Sequence, residues 1–376
     1  MEIFNYLRPP DCDPWISSVY RRDFSRVALV CRFFCSVMLP WIFESMTFAG
    51  KNSDGIALNY APFCRSVIHG CGSARIMATY VKRCSLTDWV PDRYNSPSSW
   101  CNMEFQLLYS RALALMPNVE ELRLMKTYID KNLLKSIMEL KCLTSLSLDY
   151  CTLLKTKDKH IRKLSTLRLK SFHFFESPWM VRTSVEISVI SQSLCLDSLL
   201  TIRTNCWPLV TRIAEQNCNL PLRELDIVAV RDEDVVRDVE LLPKIFQKTP
   251  ALKKLRISSA GPSQRDVELD DLLPALDDVS CPVFLLKSLV PGRPISSIKI
   301  TTSSLTELTD IQSLFKKSTH KIRSLCVPIH AYRTIPFWKH FPDLESLRVE
   351  VLDDRALTEQ SSLELVCAIY FIFALC

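Results

Sequence analysis

Glycine is scarce in this chain, six residues in 376. A protein so poor in glycine has little to build a phosphate cradle with, and neither Gly-x-x-x-x-Gly-Lys-Ser/Thr nor Gly-x-Gly-x-x-Gly occurs. No Asn-x-Ser/Thr acceptor is present. The opening Met1-Glu-Ile-Phe-Asn-Tyr-Leu7 has no basic segment followed by a long apolar run, so it does not read as a secretory leader. The longest apolar stretch, Leu365 to Cys376, is shorter than the roughly 17–25 residues of a membrane span; it reads as a last core element cut short. Six histidines are scattered without a nucleophile–base arrangement. Cys64-x4-His69-x-Cys71 and Cys31-x3-Cys35 approach ligand spacing, but neither has the second matching pair that a structural zinc site needs. The expectation is therefore no catalytic residue, no metal and no cofactor.

Charge is balanced too closely to identify a partner. Net charge is +6, from 47 basic and 41 acidic residues, too mild by itself to imply nucleic acid. A basic patch, Lys155, Lys157, Lys159, Arg162 and Lys163, reads as a solvated turn. Cysteine, in contrast, is plentiful at 16 residues. Without a leader these read as reduced thiols of a cytoplasmic or nuclear protein, several of them acting as small apolar filler.

What the chain does have is a phrase, apolar-x-x-apolar-x-apolar. It reads Val119-Glu-Glu-Leu122-Arg-Leu124, Leu143-Thr-Ser-Leu146-Ser-Leu148 and Leu164-Ser-Thr-Leu167-Arg-Leu169. It returns as Leu222-Arg-Glu-Leu225-Asp-Ile227, Leu252-Lys-Lys-Leu255-Arg-Ile257 and Ile295-Ser-Ser-Ile298-Lys-Ile300. Ile322-Arg-Ser-Leu325-Cys-Val327 and Leu344-Glu-Ser-Leu347-Arg-Val349 complete the set. The copies start 24, 21, 58, 30, 43, 27 and 22 residues apart. The two long gaps hold weaker copies at Leu196–Leu199 and Leu286–Leu289. Two degenerate copies, Phe63-Cys-Arg-Ser66-Val-Ile68 and Val81-Lys-Arg-Cys84-Ser-Leu86, precede the polar loop Pro91–Ser99. A unit this short cannot bury its own apolar face, so neighbours must stack. The predicted fold is α/β: a leucine-rich-repeat solenoid of parallel strand–helix repeats over 113–376, with a transition at 46–112 and a small helical domain at 1–45.

Helices are predicted between the strands. Leu133, Leu134, Ile137, Met138 and Leu140 fall on one helical face, as do Leu241, Leu242, Ile245 and Phe246, with Pro243 in a first turn. The residue between the last two apolars of each strand should face the concave surface. There Arg123, Arg168, Arg256, Lys299 and Arg348 are basic, and Lys170 and Lys254 share their side. Such a stripe would suit an acidic or phosphorylated protein segment, because guanidinium grips carboxylate and phosphate bidentately; ordinary solvated strand residues are the plainer reading.

The first 45 residues lack the phrase. Glu2–Leu7 reads as the end of an amphipathic helix, and Asp23–Met38 as one helix capped by Asp23, with Val27, Val30, Cys31, Phe34, Val37 and Met38 in a stripe; Leu39-Pro40-Trp41-Ile-Phe43 ends it. Ile3-Phe4-Asn5-Tyr6-Leu7, then Asp23 through Val30-Cys31-Arg32-Phe33-Phe34, then Pro40-Trp41 resembles an F-box. Its order before leucine-rich repeats is similar to fungal F-box proteins, and Leu289-Val-Pro-Gly-Arg-Pro-Ile295 looks like a phrase of that group. The family pattern opens with Leu-Pro and further first-helix residues that have no counterpart before Ile3, so the likeness is to an F-box shortened at its amino end. The resemblance implies a substrate receptor of an SCF-type ubiquitin ligase. Ile3, Leu7, Val27, Val30, Cys31, Phe34 and Trp41 would dock on the Skp-family adaptor and the repeats would bind the substrate. Other readings are that these residues form a helical core, and that the chain is a repeat scaffold without a ligase role or a nucleic-acid-binding solenoid.

Overall fold

In the computed structural model the apolar phrase becomes a ladder of short parallel strands. The structure describes residues 18–50, 60–89, 98–153, 158–176, 184–228, 241–258, 269, 272–301, 314–329, 341 and 343–350. The chain divides into two compact units, Met1–Leu222 and Arg223–Cys376. The first contains β1 (Ser45–Ala49), β2 (Arg83–Thr87), β3 (Glu121–Met125), β4 (Tyr128–Ile129), β5 (Ser145–Asp149), β6 (Thr152–Leu153), β7 (Ser171–Phe175) and β8 (Thr201–Thr204). β1, β2, β3, β5, β7 and β8 pair in that order, each neighbour parallel, while β4 and β6 make a separate parallel pair. The second unit contains β9 (Glu224–Val228), β10 (Lys254–Ser258), β11 (Asp278–Cys281), β12 (Ser297–Ile300), β13 (Ser324–Pro328) and β14 (Ser346–Glu350), paired parallel in sequence order.

Parallel neighbours need a crossover, and helices supply most of them. They include Ala61–His69, Ser98–Leu113, Lys131–Met138 and Trp207–Ala214 in the first unit, and 241–248 and Val283–Leu289 in the second. The helix predicted around Leu133 starts at its Asp130 cap, whose Oδ1 accepts from Leu133 N at 2.8 Å. Leu133, Leu134 and Ile137 are buried, as are Leu242, Ile245 and Phe246. Strand leucines close the core from the other side: Leu122, Leu124, Leu146, Leu148, Leu225 and Leu255 are all 2% exposed or less. In β1, Phe48 stacks on Tyr109 of a returning helix with centroids 4.6 Å apart. Each unit is thus an α/β leucine-rich-repeat stack.

The register is fixed by one recurrent bond pattern. The carbonyl just before a strand accepts the two amides that open the next one: Glu44 O from Lys82 and Arg83, Lys82 O from Glu120 and Glu121, Glu120 O from Thr144 and Ser145, Thr144 O from Lys170 and Ser171, Lys170 O from Leu200 and Thr201. Arg223, Lys253, Asp277, Ser296 and Arg323 do the same in the second unit. The corner after the strand is repeated too. Asp88, Lys126 and Tyr150 occupy equivalent positions with φ of 58°, 47° and 58°, a left-handed turn that non-glycine residues enter only at a cost. The next side chain then satisfies a carbonyl one repeat back: Trp89 Nε1 donates to Phe48 O (2.8 Å), Thr127 Oγ1 to Leu86 O (3.1 Å) and Cys151 Sγ to Leu124 O (3.3 Å).

These bonds correct several expected elements. Phe63-Cys-Arg-Ser66-Val-Ile68 lies on the helix Ala61–His69, and Leu286–Leu289 on the helix Val283–Leu289. Leu164–Thr166 belongs to a 3-10 turn, so the strand of that repeat is β7 and its phrase is Leu169-Lys-Ser-Phe172-His-Phe174. Likewise Leu196–Ser198 is a 3-10 turn before β8, and the strand missing from the long second-unit gap is β11, Leu276-Asp-Asp-Val279-Ser-Cys281. An i, i+3 apolar pair suits a helical turn as well as a strand phrase, which is why the frame slipped. The predicted helix Asp23–Met38 is two helices, Ser18–Ala28 and Arg32–Phe43, and Asp23 lies inside the first. Cys31 between them is extended (φ −161°, ψ 168°) and its Sγ accepts from Phe34 N at 3.5 Å. The break folds the helices into a hairpin in which Phe24 meets Trp41 edge-on, 5.8 Å between centroids. Pro40 lies within the second helix rather than ending it. Glu2–Leu7, residues 91–97 of the polar loop and the apolar stretch at 365–376 lie outside the described residues, while Ser98 and Ser99, expected in that loop, open the helix Ser98–Leu113. No described helix is long and apolar enough to cross a membrane.

Candidate functional site

Two surfaces of the first unit carry features that folding alone does not need. The first is the turn of the amino-terminal helical hairpin. Leu29, Val30 and Phe33 are 86%, 70% and 65% exposed, more than any other large apolar side chain among the described residues, the next being Ile76 at 59%. A contiguous apolar ridge of this kind is a mark of an interaction surface. Of the residues expected to grip an adaptor, Val30 and Cys31 are exposed, whereas Val27, Phe34 and Trp41 are half-buried. Ile3 and Leu7 lie outside the described residues. Leu29 and Phe33 escaped the sequence reading because a continuous helix places them off its apolar stripe; the break at Val30-Cys31 turns them outward.

The second is the strand face opposite the buried leucines, where the register lines side chains into rows. Arg123, Ser147, His173 and Arg203 form the middle row across β3, β5, β7 and β8; Met125, Asp149 and Phe175 form the row at the strand ends. Together with Glu121, Ser145 and the corner residue Tyr150 they line a groove of about 400 Å³. Arg123 Nε donates to Asp149 Oδ2 at 3.0 Å, and the Arg203 guanidinium lies over the Phe175 ring, 5.2 Å from its centroid, a favourable cation–π arrangement. Ser171 Oγ is 3.3 Å from His173 Nε2. Asp149 is 6% exposed, and its Oδ1 is buried with no hydrogen-bond partner.

The expected basic stripe is redistributed. Arg123 occupies its predicted place, but the middle residue of β7 is His173; Arg168 is exposed and precedes the strand, and Lys170 lends its carbonyl to the next repeat. In the second unit Lys254 and Arg256 on β10, Lys299 on β12 and Arg348 on β14 all stand on strands as predicted. Lys254 pairs with Glu224 at 3.2 Å, and Lys299 with Glu350 at 2.6 Å. The Lys299 ammonium bonded to Glu350 holds that carboxyl below its usual range. Burial pushes the thiols of Cys64 and Cys151 up to about 12 and raises those of Cys84, Cys206 and Cys281, so these are packing groups and poor nucleophiles.

Comparison with solved structures aligns the leucine-rich repeat-containing protein LegL7 of Legionella pneumophila, 14% identical over 82% of this chain and 91% of that one, TM-score 0.43. The TLR13–ssRNA13 complex aligns at 13% identity over 74% of this chain and 47% of that one, TM-score 0.32. The Toll–Spatzle complex of Drosophila aligns at 11% identity over 72% and 40%, TM-score 0.33. The chain spans less than half the length of the latter two. No protein-family model matches the sequence, and no curated protein does.

Proposed function

We propose that this chain is a non-catalytic substrate receptor of an SCF-type ubiquitin ligase: the helical hairpin docks on the Skp-family adaptor, and the strand faces bind a protein substrate. The observation that carries the reading is the exposed ridge of Leu29, Val30 and Phe33, joined to the F-box-like order of residues 23–41 ahead of the repeats. An apolar helix end seated in a partner's groove is a common recognition mode, and each large apolar side chain so buried contributes about 1.5–3 kcal/mol. Unpaired thiols throughout the described residues suit a reducing cytoplasm or nucleus. In the second unit, exposed Arg256 supports a substrate segment that is acidic or phosphorylated, while Arg348 is paired with Glu350 at 3.5 Å.

The test is co-expression of the full chain with a Skp-family adaptor and titration of the purified partners. Wild-type chain should hold the adaptor, and Val30→Asp with Phe33→Asp should weaken it by about 100-fold or more. A wild-type chain that ignores the adaptor, or a double variant that keeps it, refutes the ligase reading. The strand faces alone would then support a repeat scaffold that binds protein without a ligase role. A nucleic-acid reading draws less support, because Glu121, Asp149, Asp226 and Glu350 lie among the cations of these faces.

A further inference from the structure

We infer that the turn at residues 162–170, which leads into β7, binds an acidic segment of the protein partner, with oxyanions at alternate positions set against Arg168 and Lys170. The inference deepens the reading of the repeats as a substrate-binding surface and rests on it.

Arg162, Lys163, Arg168 and Lys170 are all exposed on this turn, and among the described residues their side chains have no ionic partner. Elsewhere in the ladder a cation reaches a carboxylate of the adjoining repeat, as Arg83 does Glu44 at 3.2 Å, Lys254 Glu224 at 3.2 Å and Lys321 Asp343 at 2.8 Å. Here no acidic residue occurs between Asp158 and Glu176. Thr144 and Leu200, which the bridging carbonyls align with Lys170, are uncharged. Like charges gathered this closely repel one another. Folding does not require them, since Leu164, Leu167 and Leu169 carry the burial of the segment.

The turn is also held in shape. Ser165 Oγ donates to Arg162 O and Thr166 Oγ1 to Lys163 O, each at 2.8 Å. Lys170 N donates to Thr144 O at 2.7 Å, and Lys170 O accepts from Leu200 and Thr201. The cations thus stand on a preformed backbone, which lowers the ordering cost of binding. Leu167 and Leu169 are buried while Arg168 and Lys170 are exposed, so the two cations leave the chain on one side about 7 Å apart, the i, i+2 repeat of extended chain. Side chains at alternate positions of an extended peptide recur at the same interval. Guanidinium and ammonium groups bind carboxylate and phosphate alike. A nucleic acid fits less well, because residues 162–170 include no aromatic ring to stack on a base. A membrane fits less well too, because no apolar side chain of the turn is exposed to enter it.

Titration of labelled dodecapeptides with the purified full chain, read by fluorescence anisotropy, tests this. A peptide with Glu at alternate positions should bind, and added salt should weaken it. Arg168→Glu with Lys170→Glu should weaken it at least about 10-fold, as two exposed attractions become repulsions, with the urea midpoint unmoved. Lys316→Glu with Lys317→Glu makes the same charge change on exposed residues of the second unit and should leave the affinity unchanged. Tighter binding of a phosphoserine version assigns a phosphorylated partner; equal or weaker binding assigns a carboxylate-bearing one. No binding of either peptide, equal loss in both double variants, or tighter binding of an oligonucleotide or of phosphatidylserine vesicles overturns the proposal. Peptides that ignore the first double variant but are lost with Arg256→Gln overturn the assignment to this turn while the protein-binding reading stands. Loss of adaptor binding is read in a separate titration and does not move peptide affinity.

Discussion

Replacing Arg293 by Met should cost the second unit about 3–5 kcal/mol, although the residue contacts no proposed partner. Arg293 is 4% exposed. Its Nε donates to Leu272 O at 2.7 Å, and its Nη1 to Ser288, Leu289 and Pro291 carbonyls at 2.8, 3.0 and 3.0 Å; Nη2 donates to Leu269 O. One guanidinium thus ties the carboxyl end of the helix Val283–Leu289 to the segment before β11. Met fills much the same volume with no donor. Each charged bond to a carbonyl is worth about 1.5–3 kcal/mol net, and each buried carbonyl left open costs about 1–3. The helix-end carbonyls can regain water, and burying the guanidinium itself costs several kcal/mol, so the five bonds do not add. Two carbonyls left dry give about 3–5 kcal/mol. Hydrogen exchange read by mass spectrometry localises the effect: amides of Val283–Leu289 and β12 should lose about two to four orders of magnitude of protection. Arg293→Lys should recover only part, since an ammonium cannot fork toward five acceptors. Unchanged protection in the Met variant, or full recovery by Lys, refutes the reasoning.

Three further outcomes are expected. Phe172→Ala should cost about 3–5 kcal/mol in urea unfolding and Arg168→Ala less than about 0.5, because Phe172 is 0% exposed on β7 and Arg168 is exposed before it; a Phe172→Ala cost no larger than that of Arg168→Ala would contradict the placement of Phe172 in the core. Alkylation at pH 8 of the native chain should modify exposed Cys31, Cys71, Cys142 and Cys218 quickly and Cys64 and Cys151, with thiols near 12, only on unfolding. Glu350 has a lowered folded-state pKa, so its contribution is present above the ordinary value of 4.5 and lost as pH falls through the folded value; Glu350→Gln should flatten the stability profile below about pH 4.5, and an unchanged slope there would contradict the pairing with Lys299.

Most of the stack was legible in the sequence where a phrase carried leucine or isoleucine at both its core-facing strand positions, as at Leu122 and Leu124 or Leu255 and Ile257. There, burial and strand alternation point the same way. Legibility failed where an i, i+3 apolar pair also suits a helical turn, as at Phe63, Leu164 and Leu286. In each case the real strand had a less obvious wording, such as Ser171-Phe-His-Phe-Phe175. The hairpin break at Leu29–Cys31 contains no glycine or proline, and the contact of Phe24 with Trp41 that accompanies it is announced by no local pattern. The groove followed from the frame: once β7 is placed correctly, His173 and Arg203 join Arg123, and Asp149 falls between Met125 and Phe175. The open oxygen of Asp149 and the bonds of Arg293 depend on contacts far apart in sequence and leave no periodic trace.

The most direct test of the account is hydrogen exchange on the full chain with and without a Skp-family adaptor. Slowed exchange around Leu29–Phe34, with β3, β5 and β7 unchanged, is the predicted result, since the hairpin ridge and the strand face are separate docking surfaces. Protection confined to the strands, or none at the hairpin, would contradict it.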